Sequence, residues 1–398
     1  MKKLLLFFWL VSSLSACEYF KKTPSDNASE NIGRVLDSLK QQYAPDARDH
    51  VWEITFTRKD NRVVLQGATD LPEAKQALLA WFKSKKIDVA EHIKLLPEEK
   101  FKTSKAVVRL SVANVRTNPK HSAELATQLF MGMPVDILEF KDGFYRIRTT
   151  CGYLGWTEPA SLTLLDNKSF EAWLRKPKII VQSAHTKILS EPRPGARQLS
   201  DAVQNDVMGI LESGDFFHKV ELPDKRTGYI PAEHCVLLDE WHFINTKLFD
   251  IQDLIQVART EYLGTPYLWG GTSAKASDCS GFTKSLFHNF GILLPRDASQ
   301  QYQVGKAIEL DEELTRLQPG DLLFFGKKEK EKPKITHVAL YIGNGRIIHA
   351  TGEVKEESLL PSDSLYNDAR RKSLLAAKRI LGYYDRPLYP YYSTGKAE

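Results

Sequence analysis

The stretch GTSAKASDCSGFTKSLF, residues 271–287, sets one cysteine at the junction between a polar, Gly/Ser-rich approach and a run with helical apolar spacing. Free cysteines are among the most often buried residue types, so Cys279 read alone is a structural thiol. Its place at the head of a helix suggests more, because the unpaired N–H groups and dipole of a first helical turn favour a thiolate. A nucleophile also needs a base. His337 lies in the alternating run Thr336-His337-Val338-Ala339-Leu340, where its side chain projects opposite to Val338. Across the Gly343–Gly345 turn, His349 occupies a nearly symmetric position on the next strand. The pattern predicts that His337 activates Cys279 while His349 bonds the other nitrogen of the His337 ring and fixes its tautomer. The same three ligand types would suit zinc. No close Cys/His pair supports a metal site, and no metal or other cofactor is expected. His288, further along the helix, is expected on its exposed side.

Working outward, IQDLIQVARTEYLG (251–264) is amphipathic, and the cysteine helix carries Phe282, Leu286 and Phe290 before a stop at Gly291. After QPGDLLFF come the two histidine strands, so residues 248–392 read as a helical half followed by a sheet. Upstream, residues 105–165 break into short strands such as VVRLSVANVRTNP and GMPVDILEF, and residues 175–240 repeat the plan with KIIVQSAHTKILSEP and DVMGILESG. Short strands with frequent turns predict two small β-barrels. Residues 32–104 read as a small α+β unit: a short helix near 32–43, two strands, and a helix in which Asp70 and Glu73 stand three apart as in a capping box. Residues 18–31 are polar and suit a solvated tether.

The first 17 residues, MKKLLLFFWLVSSLSAC, combine two lysines, an apolar run to Val11 and small residues before Cys17. They read as an export signal. The run is shorter than the ~20 residues a spanning helix needs. The 398 residues exceed one ordinary core, and the net charge of +5 is spread along the chain, so nucleic acid is not an expected partner. Four cysteines are present; with Cys17 modified, an odd number is left, and Cys151 and Cys235 either pair or stay as buried thiols.

Several ordered motifs then resemble known families. Leu14-Ser15-Ala16-Cys17 resembles a bacterial lipobox, which implies diacylation of Cys17 and an exported protein held on a membrane facing the cell envelope. NVRTNP (114–119) and GYLGW (152–156) resemble bacterial SH3-like domains. PYLWGG (266–271), DCSGF (278–282), QPGDLLFF (318–325), THVALYIGNG (336–345) and IIHATG (347–352) together resemble the NlpC-type papain-like cell-wall peptidases. That resemblance implies a multidomain α+β chain ending in a cysteine peptidase, with Cys279 as nucleophile, His337 as base, His349 as third polar member and Tyr267 near the oxyanion. The pairing of two SH3-like domains with the peptidase is similar to the YkfC-type, or dipeptidyl-peptidase VI, subgroup. In that subgroup the substrate is a peptidoglycan stem peptide, L-Ala-γ-D-Glu-diamino acid, cut after γ-D-glutamate and carrying a free N-terminal alanine. The resemblance implies that Asp297 of LPRDASQQ receives the ammonium, that Ser280 and Trp269 line the pocket, that Glu124 of HSAELATQ reaches into it and that Tyr153 walls it. Ala298 stands where the subgroup often has serine. The alternatives are a wall-binding lipoprotein with an inert peptidase domain, a general endopeptidase on intact wall, and an acyltransferase or amide hydrolase on the same fold.

Overall fold

The computed structural model describes residues 24–59, 62–101, 104–330 and 332–393. Cys17 and its lipobox lie outside them. The chain divides into two compact units. One comprises Trp52–Ile93 with the described residues up to Pro45; the other comprises Asp46–Val51 with the described residues from Lys94 onward.

In the smaller unit, helix α1 (Pro24–Tyr43) is followed by strands β1 (Thr55–Lys59) and β2 (Arg62–Thr69), helix α2 (Pro72–Ser84) and β3 (Val89–Leu95), with sheet order β1-β2-β3. Alternation in β2 turns Val63 and Leu65 inward against Ile32, Leu78 and Phe82, all of them buried. Two expectations are corrected here. Residues 24–31 are helical rather than tether, because proline is tolerated in a first turn and an already nucleated helix extends at little cost. The cap of α2 is Leu71, with Pro72 opening the helix, so Asp70 does not cap it.

The larger unit begins its sheets with β4 (Ser104–Val108), β5 (Val112–Arg116), β6 (Leu125–Phe130), β7 (Pro134–Lys141), β8 (Phe144–Arg148), β9 (Leu154–Thr157) and β10 (Leu162–Asp166). Helix α3 (Asn167–Arg175), capped by the Asp166 carboxylate accepting from the Ser169 N–H at 2.7 Å, leads to the second set. That set is β11 (Lys178–Val181), β12 (His185–Leu189), β13 (Gln198–Val203), β14 (Val207–Glu212), β15 (Phe217–Glu221), β16 (Thr227–Pro231) and β17 (Cys235–Leu237). The first sheet runs β6-β5-β9-β8-β7-β4-β10 and the second β13-β12-β16-β15-β14-β11-β17, the same order strand for strand.

After α4 (Leu238–Lys247) and α5 (Ile251–Val257), a two-stranded ribbon of β18 (Thr272–Ser273) and β19 (Ala276–Ser277) delivers the chain to α6 (Cys279–Asn289). The short α7 (Ala298–Gln301) follows. A six-stranded antiparallel sheet is then built from β20 (Lys306–Ile308), β21 (Leu322–Lys327), β22 (Lys334–Gly343), β23 (Arg346–Thr351), β24 (Glu353–Ser358) and β25 (Leu374–Arg379), with α8 (Asp368–Ser373) before the last strand. Its order is β20-β25-β21-β22-β23-β24.

Helix α6 is the hub. Phe282, Leu286 and Phe287 pack on Phe324, Val338, Leu340 and Ile348 from one face of the sheet, each buried side chain contributing roughly 1.5–3 kcal/mol. The opposite side meets the first barrel, so every residue of α6 is buried rather than one stripe. His288 is therefore not on a surface: it is 1% exposed, edge-on to Phe130 and within 3.2 Å of the Tyr392 hydroxyl. Two glycines allow the close approaches around the hub. A Cβ on Gly281 would lie 1.9 Å from the Gly271 carbonyl, and one on Gly270, at φ +79°, would lie 2.2 Å from the Leu125 carbonyl of the first barrel.

Candidate active site

The start of α6 is organised by Asp278. Its carboxylate accepts from the Gly281 N–H at 2.7 Å as N-cap and from the Gly270 N–H at 2.9 Å, tying the PYLWGG loop to the helix start. Arg296, 1% exposed, donates to both of its oxygens, Nη2 at 2.6 Å and Nη1 at 3.1 Å. Ser280 Oγ donates to Asp278 Oδ1 at 3.2 Å and accepts from Arg296 Nη1 at 3.0 Å, so this hydroxyl is engaged in the network that frames the thiol. A buried ion pair of this kind fixes geometry, since breaking it would leave an uncompensated charge.

Cys279, 7% exposed, opens onto a cleft of about 510 Å³. Burial first, and then the Asp278 carboxylate, push its thiol up to about 11, against the Val338 and Ser280 N–H groups and Arg296, which act the other way. Desolvation thus opposes the thiolate that the helix N-terminus favours. The thiol therefore needs a base.

His337 and His349 are brought together as the strand symmetry predicts, 2.7 Å apart from Nε2 to Nδ1, with their rings edge to face. His349, fully buried on β23, has its Nε2 3.1 Å from Glu357 Oε2 in an oblique approach. The tautomers follow from one choice, a proton on His349 Nε2 facing the Glu357 carboxylate. With Nε2–H of His349 toward the carboxylate, its Nδ1 accepts from His337 Nε2–H, which leaves the His337 Nδ1 lone pair as the basic one. Burial, then Arg370 and His349, hold His337 well below the usual imidazole range, so it is neutral. Burial also depresses His349, against Glu357. Glu357 itself is raised by burial but drawn down to about 2, chiefly by His349. No hydrogen bond joins Cys279 to His337 among the described residues. The thiol instead faces the N–H of Val338, the next residue along β22, and Thr336 on the other side of His337 lines the cleft. Catalytic hydrogen bonds of this type commonly close only when substrate is bound.

Seven of the nine residues predicted for catalysis or substrate binding line this cleft, all but the two histidines. Tyr267 lies beside the thiol, its hydroxyl pushed up to about 12 by burial and by the Cys279 and Asp278 charges, so it stays a donor. Trp269 Nε1 donates to Glu124 Oε1 at 2.5 Å, joining the peptidase loop to the first barrel. Tyr153 donates its hydroxyl to Asp297 Oδ2 at 3.2 Å. Asp297, the N-cap of α7, also accepts from Arg48 Nη1 at 2.6 Å. The other two described cysteines, Cys151 and Cys235, are free thiols and form no disulfide.

Sequence reasoning missed Arg48, Asp278, Arg296 and Glu357. Asp278 was open to detection as a capping residue three before Gly281. Glu357 could have been found from alternation on β24, where it shares a face with Lys355, the register partner of His349. Arg48 gives no local signal, lying 249 residues from its partner.

A model of the NlpC/P60 family matches residues 264–379, and one of the bacterial SH3 domain matches residues 111–163. The gamma-D-glutamyl-L-lysine dipeptidyl-peptidase of Bacillus cereus (strain ATCC 10987 / NRS 248) is 28% identical over 246 residues, 60% of this chain and 71% of that protein. Dipeptidyl-peptidase 6 of Lysinibacillus sphaericus is 28% identical over 271 residues, 66% of this chain and 94% of that protein. A solved structure of an NlpC/P60 family protein from Bacillus cereus ATCC 10987 is similar in fold, with TM-score 0.60 and 24% identity over 70% of this chain and 99% of that one.

Proposed function

We propose that this chain, which carries an NlpC/P60 domain and a bacterial SH3 domain, is a cysteine peptidase that cuts the bond between γ-D-glutamate and the diamino acid of peptidoglycan stem peptides with a free N-terminal L-alanine. The observation that carries the reading is the meeting, in one cleft, of the Cys279 thiol with the carboxylates of Asp297 and Glu124. The name of one relative, gamma-D-glutamyl-L-lysine dipeptidyl-peptidase, supports the same bond class, and that of the other, dipeptidyl-peptidase 6, supports a peptidase.

On this reading His337 Nδ1 takes the Cys279 proton as Sγ attacks the γ-carbonyl carbon. The imidazolium that forms is stabilised through His349 and Glu357. The negative charge on the carbonyl oxygen is met by donors beside the thiol, with the protonated Tyr267 hydroxyl among them. His337 then protonates the leaving amine, and water, deprotonated by the same ring, hydrolyses the acyl-enzyme. In the same cleft, a dipeptide with a free amine places its ammonium between carboxylates, and a blocked amine would leave those carboxylates facing an amide.

The test is hydrolysis of L-Ala-γ-D-Glu-L-Lys against its N-acetyl form, followed by mass spectrometry. Release of L-Ala-γ-D-Glu with kcat/KM at least about thirtyfold higher on the free peptide is expected, a loss of about 2 kcal/mol on blocking. Equal rates on both peptides would replace this reading with a general wall endopeptidase.

A further inference from the structure

Asp297 does not wait for a ligand with its charge uncompensated. Its Oδ2 accepts from Arg48 Nη1 at 2.6 Å and from the Tyr153 hydroxyl at 3.2 Å, and its Oδ1 lies 3.9 Å from Arg296 Nη1. An ammonium arriving at this carboxylate meets a guanidinium already in place. Arg48 has a second anchor that does not depend on Asp297. Its Nε donates to Asp46 Oδ1 at 2.8 Å and its Nη2 to Asp46 Oδ2 at 2.6 Å, a two-pronged bond to a residue two positions away, and Nη1 donates in addition to Ser299 Oγ at 3.0 Å. The Arg48 side chain is 35% exposed. When Asp297 turns to an arriving ammonium, the N–H it releases on Nη1 passes to water, while the bonds to Asp46 and Ser299 hold the guanidinium in place.

We propose that Arg48 is an exchangeable counter-ion for Asp297, a specificity-determining residue that occupies the amine site in the resting protein and cedes its contact to the substrate ammonium. The inference rests on the free-amine reading of the cleft and goes beyond it. A carboxylate with a resident partner is not orphaned when a blocked peptide binds, so Arg48 softens the penalty against blocked amines. It also competes with the ammonium, so it weakens binding of the free peptide. Both effects narrow the discrimination that Asp297 alone would give. Ser299, beside the Ala298 position where the resembled subgroup often carries a hydroxyl, supplies its hydroxyl to Arg48.

The experiment compares kcat/KM of the full chain and of Arg48→Ala on L-Ala-γ-D-Glu-L-Lys and its N-acetyl form. The free-to-blocked ratio should rise roughly tenfold in Arg48→Ala, through a lower KM for the free peptide and a higher KM for the blocked one. Arg48→Lys, which keeps the charge without the fork, should stay nearer the wild-type ratio; Arg48→Gln serves if the alanine variant does not fold by circular dichroism. A ratio that is unchanged or lower in folded Arg48→Ala or Arg48→Gln overturns the proposal and leaves Arg48 as support for the loop. Asp297→Asn separates the two readings. If it leaves the ratio unchanged, the amine site is wrong altogether; if it collapses the ratio while Arg48→Ala does not widen it, only the counter-ion role fails.

Discussion

The two barrels share one strand order and even one irregularity, a register shift at Val115/Arg116 in the first and at Ile188/Leu189 in the second. The turns that follow are closed alike: Thr117 N–H bonds the Glu124 carbonyl at 3.0 Å, and Ser190 N–H bonds the Arg197 carbonyl at 2.9 Å. Glu124 and Arg197 are thus the same backbone position carrying opposite charges. Likewise Tyr153, whose carbonyl accepts from Thr149, corresponds to Arg226, whose carbonyl accepts from Leu222. The first barrel turns an acid and a phenol into the cleft; at the matching places the second has two arginines, one of them bonded to its own turn at Asp224. What the repeat preserves is hydrogen-bonded backbone, and what distinguishes the copies is the side chains on two turns.

The second barrel has structural work instead. Asp206, fully buried, accepts from Met131 N–H and Val203 N–H, both at 2.8 Å, and so locks the barrels together, while Asn205 donates to the Ser285 carbonyl of α6 at 3.3 Å.

This contrast can be broken at several points. The largest effect belongs to the thiol: Cys279→Ala should lower stem-peptide hydrolysis by at least about a thousandfold with circular dichroism unchanged. Cys235→Ala in the second barrel should leave kcat unaltered, and a Cys235 variant that loses turnover would undo the assignment of chemistry to one side. Next comes the relay. His337 is held well below the usual imidazole range, so activity should fall on the acid side only as pH drops through that lowered value. Glu357 favours the protonated rings, so Glu357→Gln should move that acid limb to still lower pH while reducing kcat roughly tenfold or more at neutral pH. A limb that moves upward would contradict the chain from Glu357 to His337. The smallest effects form a cross-over. Asp206→Ala should cost about 2–4 kcal/mol of stability by orphaning two N–H groups, with kcat/KM per folded molecule unchanged. Glu124→Gln should lower kcat/KM on the free-amine peptide about tenfold without moving the melting temperature. The reverse pattern would exchange the roles assigned to the two barrels.

The histidine pair was legible because a strand period of two and a short Gly-Asn-Gly turn fix which residues meet across a hairpin, whatever the rest of the chain does. The two barrels were legible as turn-punctuated strands for the same local reason. Other features depended on packing and were not. His288 follows a helical pattern that places it on an outer face, but barrel and sheet sandwich α6 from both sides, so the helix has no outer face. The burial that opposes the Cys279 thiolate was not legible, because a helix end is visible in sequence and desolvation is not. Arg48 reaches Asp297 through a segment, Asp46–Val51, that departs from its sequence neighbours to join the larger unit, a topology no period announces.

A thiol raised to about 11 has a consequence for how it meets foreign chemistry. Left to itself, a thiol raised that far by burial holds little thiolate at pH 7. General electrophiles that consume free thiolate should find this site slow and spend themselves elsewhere. A compound that first fills the acid-lined cleft and carries an electrophilic carbonyl to the His337 side would recruit the base as a substrate does. Shape and a well-placed cation should therefore count for more than intrinsic thiol reactivity in ranking inhibitors of this site.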